Sequence, residues 1–370
     1  MAAAEPSQRI CALDGLRGWL ALYVAVYHLA APLTGPDMAL APFKACLGAA
    51  WWTVDMFFLM SGFVMMHVYQ QVFADRLNGA DAWRFMKARF ARLYPVHLLA
   101  LLLMLPGFWR MPDHATLWQV DDGRFSADAF VKSLLMLHGP WMDGRSWNYP
   151  AWSISAEWHA YLVFPMLAWL LGKARTRGQA WAGWAPWLCC LPPLVLYASA
   201  SGGDVHPTNG AAVMWRALPL FVAGMLCRMQ PPWGLGSTKL VWVPWLALAL
   251  LVGPLPELAV LACPAVMCWA LSRQGAAWGL STPLSLWLGK VSYSLYMTHA
   301  LVEMYIVQGG LRLASKWGGV SLSQGGLGSV ALLALALVLA LVLSALVQRW
   351  VEEPCRRAIL RWRWPRKAWA

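Results

Sequence analysis

Apolar residues run along this chain in blocks of roughly 17 to 24 positions, broken by short polar stretches. A helix needs about 20 predominantly apolar residues to cross a bilayer. The pattern predicts an all-α, polytopic membrane helix bundle with about ten transmembrane helices, at 11–33, 49–70, 93–109, 150–171, 185–201, 212–229, 240–255, 257–273, 287–308 and 327–350. Glycines and prolines interrupt several of these blocks. A weaker apolar stretch, Phe130–Leu137, is flanked by charge and too short to span, so it is expected outside the bundle or dipping into it.

Composition narrows the class. Sixty per cent of the 370 residues are hydrophobic and 12 per cent are charged, against about a quarter charged in a soluble domain. With the N-terminus inside, 21 of the 29 Lys and Arg fall on the inner side: Arg9, Arg17, the 76–92 set, Lys173, Arg175, Arg177, Arg228, Lys239, Arg273, Lys290, Arg349 and the tail. That leaves eight outside, beside an acidic loop carrying Asp113, Asp121, Asp122 and Asp128, and predicts N-in, C-in topology. The net charge of +12 therefore reads as a topology signal plus contact of the Arg356–Lys367 tail with anionic membrane lipids. Nucleic acid is not an expected partner.

The first span carries Asp14, Arg17 and His28 and is followed by no small-residue cleavage site, so it is expected to stay in the membrane rather than leave as a signal peptide. The longest non-spanning stretch, 110–149, is about 40 residues, so residues 1–370 read as one membrane domain. The eight cysteines (11, 46, 189, 190, 227, 263, 268, 355) have no Cys-x-x-Cys spacing and read as small apolar fillers. No Walker, Rossmann or His-Glu-x-x-His pattern occurs, and no metal is expected.

Chemistry enters through polar groups inside the spans, where ionisable side chains are costly and mark functional sites. Arg17 and His28 are eleven residues apart. On a helix that is three turns plus roughly 20°, so both leave one face, separated by roughly 16 Å along the axis. They suit one elongated ligand met at two depths. Asp55 opens the second span at a depth matching His28, and reads either as an interfacial carboxylate in water or as a partner that holds that imidazole and stabilises its charged form. Ser61-Gly62 suits close helix packing.

Trp83–Pro95 interleaves aromatic residues with Arg84, Lys87, Arg89 and Arg92, as in a short interfacial helix, with Pro95 opening the next span. These cations read either as positive-inside anchors or, through Arg89 and Arg92 on one face, as the mouth for a phosphorylated ligand. Ser153, Glu157 and Tyr161 form an i, i+4, i+8 polar stripe in the fourth span. Ser292, Tyr296 and His299 share a face of the ninth. His299 either lines a pocket or satisfies a carboxylate.

Taken in order, these motifs resemble the acyltransferase-3 family of polytopic membrane proteins over nearly the whole chain. Arg17 and His28 match its Arg-x10-His signature, and Val54-Asp55-Met-Phe-Phe-Leu-Met-Ser-Gly-Phe63 its second-span motif. Arg89-Phe-Ala-Arg92-Leu-Tyr-Pro95 fits Arg-x-x-Arg-x-x-Pro, and Trp152-Ser-Ile-Ser-Ala-Glu157 fits Trp-Ser-x-Ser-x-Glu. Gly289–His299 and Glu352-Glu-Pro354 also agree. The resemblance implies transfer of an acyl group, commonly acetyl, from cytoplasmic acyl-CoA to a hydroxyl of a carbohydrate or lipid-linked glycan, in a bacterial cytoplasmic membrane. It would put CoA phosphates on Arg89 and Arg92, with Arg17 near the pyrophosphate or pantetheine. His28 would act as general base or transient acyl acceptor, backed by Asp55 or Glu157. Ser153, Tyr161, Tyr296 and His299 would line the substrate pocket. Two other classes stand beside this reading. A secondary transporter would show inverted repeats, which the polar spans do not echo, and a non-enzymatic scaffold would not need so many polar groups in its spans.

Overall fold

The computed structural model describes residues 10–33, 47–109, 124–176, 183–199, 206–230, 241–272, 279–318 and 327–362. Asp113, Asp121, Asp122, Arg9, Cys46, Arg177, Lys239, Arg273 and the tail beyond Trp362 lie outside these residues. Every regular element among the described residues is helical: α1 (Cys11–Ala30), α2 (Trp51–Phe73), α3 (Gly79–Trp109), α4 (Ala127–Leu134), α5 (Trp152–Thr176), α6 (Ala185–Leu188), α7 (Leu191–Ser199), α8 (Ala212–Met229), α9 (Val243–Val252), α10 (Cys263–Ser272), α11 (Pro283–Val302), α12 (Gln308–Gly318), α13 (Leu327–Val347) and α14 (Glu353–Arg361).

The expected spans divide by character. Five described stretches are long and apolar enough to cross a membrane, namely α2, α3, α5, α8 and the α13–α14 run. Ala185–Ser199, α9 and Pro256–Ser272 are apolar but shorter. Although α1 and α11 have 20 residues each, their interior polar groups dilute their hydropathy and keep them out of that set. The run containing α13 has a mean hydropathy of 3.1 against 1.2–1.4 for the other four, and its Leu335, Val338, Val342 and Leu346 are exposed. A helix apolar all round belongs against lipid.

Three boundaries differ from expectation. Residues 83–109 are not a surface helix followed by a span: α3 runs unbroken for 31 residues through Pro95 and Pro106. Within a bundle, neighbouring helices tolerate the amide that proline removes, and beside Pro95 the Tyr293 hydroxyl donates to the Leu93 carbonyl at 2.5 Å. At the end of α11, a π-helical segment, Glu303–Val307, carries the helix on into α12. A second π segment, Gln348–Glu352, likewise joins α13 to α14.

Small residues set two close seams. On α2 and α8, a Cβ on Gly62 would come within 1.8 Å of the Phe221 carbonyl oxygen, and one on Gly224 within 1.8 Å of that of Leu59. On α1 and α11, a Cβ on Gly18 would meet the Gly289 amide at 2.4 Å, and one on Gly289 the Asp14 carbonyl at 2.2 Å. Backbones approach this closely only where no side chain intervenes. Contacts also give direction. Arg17 meets Ser292 and His28 meets His299, while Leu93 meets Tyr293 and Leu103 meets Tyr305, so α1, α3 and α11 run parallel. Phe58–Trp152 and Ser61–Glu157, with Asp55–Arg216 and His67–Arg228, make α2, α5 and α8 parallel to one another. The short α4 is capped by Ser126, whose hydroxyl accepts from the Ala129 amide. It rests on α3 through His97 and the Ser133 carbonyl, 2.7 Å apart.

Candidate active site

A cavity of about 170 Å³ lies among α1, α2, α3, α5 and α11, and its wall includes Arg17, Arg89, Arg92, Ser153, Glu157, Tyr161 and Tyr296. The other three residues singled out from sequence, His28, Asp55 and His299, are not part of that wall.

The three arginines differ in what already occupies them. Arg17 is brought to α11 by the Gly18–Gly289 seam: its Nε donates to Ser292 Oγ at 3.1 Å, and one terminal nitrogen donates to the Gly289 carbonyl at 3.0 Å and to Asp14 at 3.1 Å. Arg92 is ion-paired with Glu352, which also accepts from Ser294 Oγ at 2.6 Å. Arg89, one turn before Arg92, stands over the rings of Tyr69, Phe85 and Tyr161 at 5.7–5.9 Å. Its buried Nε has no hydrogen-bond partner, and among the described residues no carboxylate reaches it. A guanidinium with no direct ion pair and a spare donor at a cavity wall suits an anionic ligand.

Beside Arg89, the α5 stripe turns into the cavity as a unit. Glu157 Oε1 accepts from Ser61 Oγ at 2.5 Å and from the Tyr161 hydroxyl. One turn earlier, Ser153 Oγ and the Tyr296 hydroxyl share a hydrogen bond of 2.7 Å. Ser61 therefore does more than pack: its neighbour Gly62 faces α8, while Ser61 itself turns to α5.

Beyond Tyr296, His28 and His299 meet ring to ring. His28 Nδ1 and His299 Nε2 are 2.9 Å apart, with the rings 13° from coplanar, and the Tyr149 ring stands edge-on to both. His299 is not part of that cavity's wall, and among the described residues it serves no carboxylate. The expected His28–Asp55 contact is replaced by another: Asp55 accepts from Arg216 Nε at 2.7 Å and from the Tyr197 hydroxyl at 2.9 and 3.1 Å. Equal depth in the bundle does not mean the same side of it. A buried carboxylate needs a cation, and the α2–α8 seam supplies Arg216, which also donates to the Trp51 carbonyl and stacks on Trp152.

Residues 11–349 match the family model described as an acyltransferase domain. The chain belongs to the acyltransferase-3 family. It is 28% identical over 381 residues to acyltransferase MdmB of Streptomyces mycarofaciens, covering 95% of this chain and 92% of that protein. It is 34% identical over 164 residues to protein 2 in the picA locus of Rhizobium radiobacter, covering 41% of this chain and 79% of that one. No solved structure matches. The protein is thus an integral membrane acyltransferase that moves groups other than aminoacyl groups.

Several further groups of this acyltransferase's site can be named from sequence but not placed in it. Asp14, Ser61 and Ser292 join the cavity wall, Glu352 neutralises Arg92 from the far end of the chain, and Arg356 on α14 is close enough to act electrostatically on Arg92. Glu352 was visible only as part of a terminal motif. Chemically, the site offers a wall carrying three guanidinium groups, a hydrogen-bonded carboxylate, and an imidazole pair farther along the same helices.

Proposed function

We propose that this acyltransferase takes an acyl group, acetyl in the simplest case, from cytoplasmic acyl-CoA and passes it to a hydroxyl of a cell-surface carbohydrate or lipid-linked glycan. The observation that carries this reading is the Arg89 guanidinium, ion-paired with no carboxylate among the described residues, in a cavity it shares with Arg17 and Arg92. The anionic end of CoA would rest on Arg89, with Arg92 and Arg356 beside it and Arg17 deeper. Ala21, the deepest α1 residue of the wall, is roughly 10 Å of helix short of His28. The pantetheine arm would extend past Tyr296 to bring the thioester to that imidazole. There His28 takes the proton of the acceptor hydroxyl, the hydroxyl oxygen bonds to the thioester carbonyl carbon, and the carbon–sulfur bond breaks. The proton then passes to the departing thiolate. In the two-step form of the same chemistry, His28 carries the acyl group briefly. The reading includes a single domain of about ten spans in a bacterial cytoplasmic membrane, with both termini on the cytoplasmic side, in line with the mutually parallel α1, α3 and α11 and with the 21-to-8 split of basic residues.

The test is transfer of labelled acetyl from acetyl-CoA by the protein in lipid nanodiscs, with the acceptor found by mass spectrometry of surface glycans from a deletion strain. Loss of one O-acetyl modification on deletion, restored by wild type and not by His28→Ala, is the expected result. Unchanged glycans, or full activity in His28→Ala, would overturn it.

A further inference from the structure

The His28–His299 contact fixes which nitrogen of each ring carries hydrogen. His299 Nδ1 lies 3.1 Å from the Leu295 carbonyl oxygen. A carbonyl only accepts, so this nitrogen bears the hydrogen, and a neutral imidazole has only one. His299 Nε2 is then a lone pair. Opposite it, at 2.9 Å, His28 Nδ1 has to be the donor. His28 therefore keeps its own lone pair on Nε2, the atom pointing away from His299. Both rings are held: His299 is fully buried on α11, and the Tyr149 ring closes the edge of the pair.

We propose that His299 is the positioning residue of this acyltransferase, locking His28 as the Nδ1–H tautomer and presenting Nε2 as the atom that takes the proton or the acyl group. It fills the orienting place that a carboxylate holds in hydrolase triads, without a buried charge, and it is not the role of Asp55, which Arg216 and Tyr197 occupy. When His28 becomes imidazolium, its Nδ1–H still points at a neutral acceptor, so the bond strengthens with the developing charge. The assignment rests on His28 being the reacting base, as proposed above.

Two measurements test it separately from that reading. Nitrogen-15 NMR of histidine-labelled protein, with the His28 signal found by difference against His28→Gln, should report a protonated Nδ1 and a bare Nε2. The reverse tautomer overturns the proposal whatever the substrate. In transfer assays, His299→Phe keeps a ring but removes the acceptor. The Val24 carbonyl, one turn back on α1, also acts on the His28 ring and helps to hold it when His299 is replaced. The expected loss in kcat is therefore about 10- to 100-fold, below the roughly 10⁴ that a wrong tautomer costs a triad enzyme. The acyl-CoA dissociation constant and melting temperature should stay near wild type, and His299→Gln, whose amide oxygen accepts in place of Nε2, should recover most of the rate. A loss under threefold in His299→Phe, or equal damage in the Phe and Gln variants with impaired donor binding, would make His299 a packing residue only. If the tautomer is as stated and His28→Ala still transfers, it is the reading of His28 as base that fails.

Discussion

Asp55 and Arg216 meet at 2.7 Å in the interior of the bundle, neither more than 1% exposed. The pair ties α2 to α8 at one end of the glycine seam, and Tyr197 adds α7. Removing one partner of a buried ion pair strands the other charge and costs about 3–5 kcal/mol, whereas replacing both with apolar groups is often neutral. Asp55→Asn and Arg216→Met should each lower the melting temperature in detergent, and Asp55→Leu with Arg216→Met should recover most of the loss. If Asp55→Asn melts like wild type yet transfers nothing, Asp55 belongs to the chemistry and not to the frame.

That pair marks the boundary of what the chain discloses on its own. Periodicity tells which face of its own helix a residue occupies, and so the Ser153–Glu157–Tyr161 stripe and the shared face of Arg17 and His28 were legible. It does not tell which helix lies opposite. Asp55 and Arg216 are 161 residues apart, and nothing local to either names the other. The same limit hid Glu352 behind Arg92 and His299 behind His28. Pro95 misled for a different reason: a proline that would end a helix in water is tolerated where packed neighbours replace the solvent. Ser61 and Gly62 look like one packing motif along the chain, although adjacent helix residues point about 100° apart and serve different partners.

Among the cavity arginines, Arg89 should dominate donor binding because Asp14 and Glu352 already engage Arg17 and Arg92. A hydrogen bond to a charged group is worth about 1.5–3 kcal/mol, so Arg89→Ala should weaken acyl-CoA binding by roughly 10- to 150-fold. Equilibrium binding of acyl-CoA to the purified protein measures this. Arg92→Ala should cost less donor affinity and more stability, since it leaves Glu352 buried without its cation. The opposite ranking would move the phosphate site to Arg92.

The α2–α8 seam admits no side chain. Gly62→Ala and Gly224→Ala would each put a Cβ 1.8 Å from a backbone oxygen of the facing helix, so the helices must separate. Overpacking of this kind costs about 1–3 kcal/mol, and more where backbone has to move. Both variants should express poorly or melt well below wild type. Gly309→Ala is the matched control, with nothing within 4 Å of the new atom and a better helix former in place. Equal behaviour of the three would mean that α2 and α8 pack more loosely than described.

Acid sensitivity should trace in part to His138, which lies between α4 and α5 and stacks on His97 with ring centroids 5.5 Å apart. Burial, with a smaller contribution from His97, pushes the His138 imidazole down from 6.5 to about 3. The folded protein thus holds this ring neutral where the unfolded chain protonates it. With the folded value below the unfolded one, the stabilisation is complete above pH 6.5 and is lost as pH falls from there toward 3. At 1.36 kcal/mol per pH unit, stability at pH 5 should sit roughly 2 kcal/mol below that at pH 7.5 on this account. His138→Phe keeps an aromatic ring against His97 and removes the titration. Its melting temperature should therefore fall less than that of wild type between pH 7.5 and 5, a window above the range in which carboxylates contribute most. Parallel melting curves for the two proteins across that window would show that His138 is protonated without cost, and that its site is wetter than its burial implies.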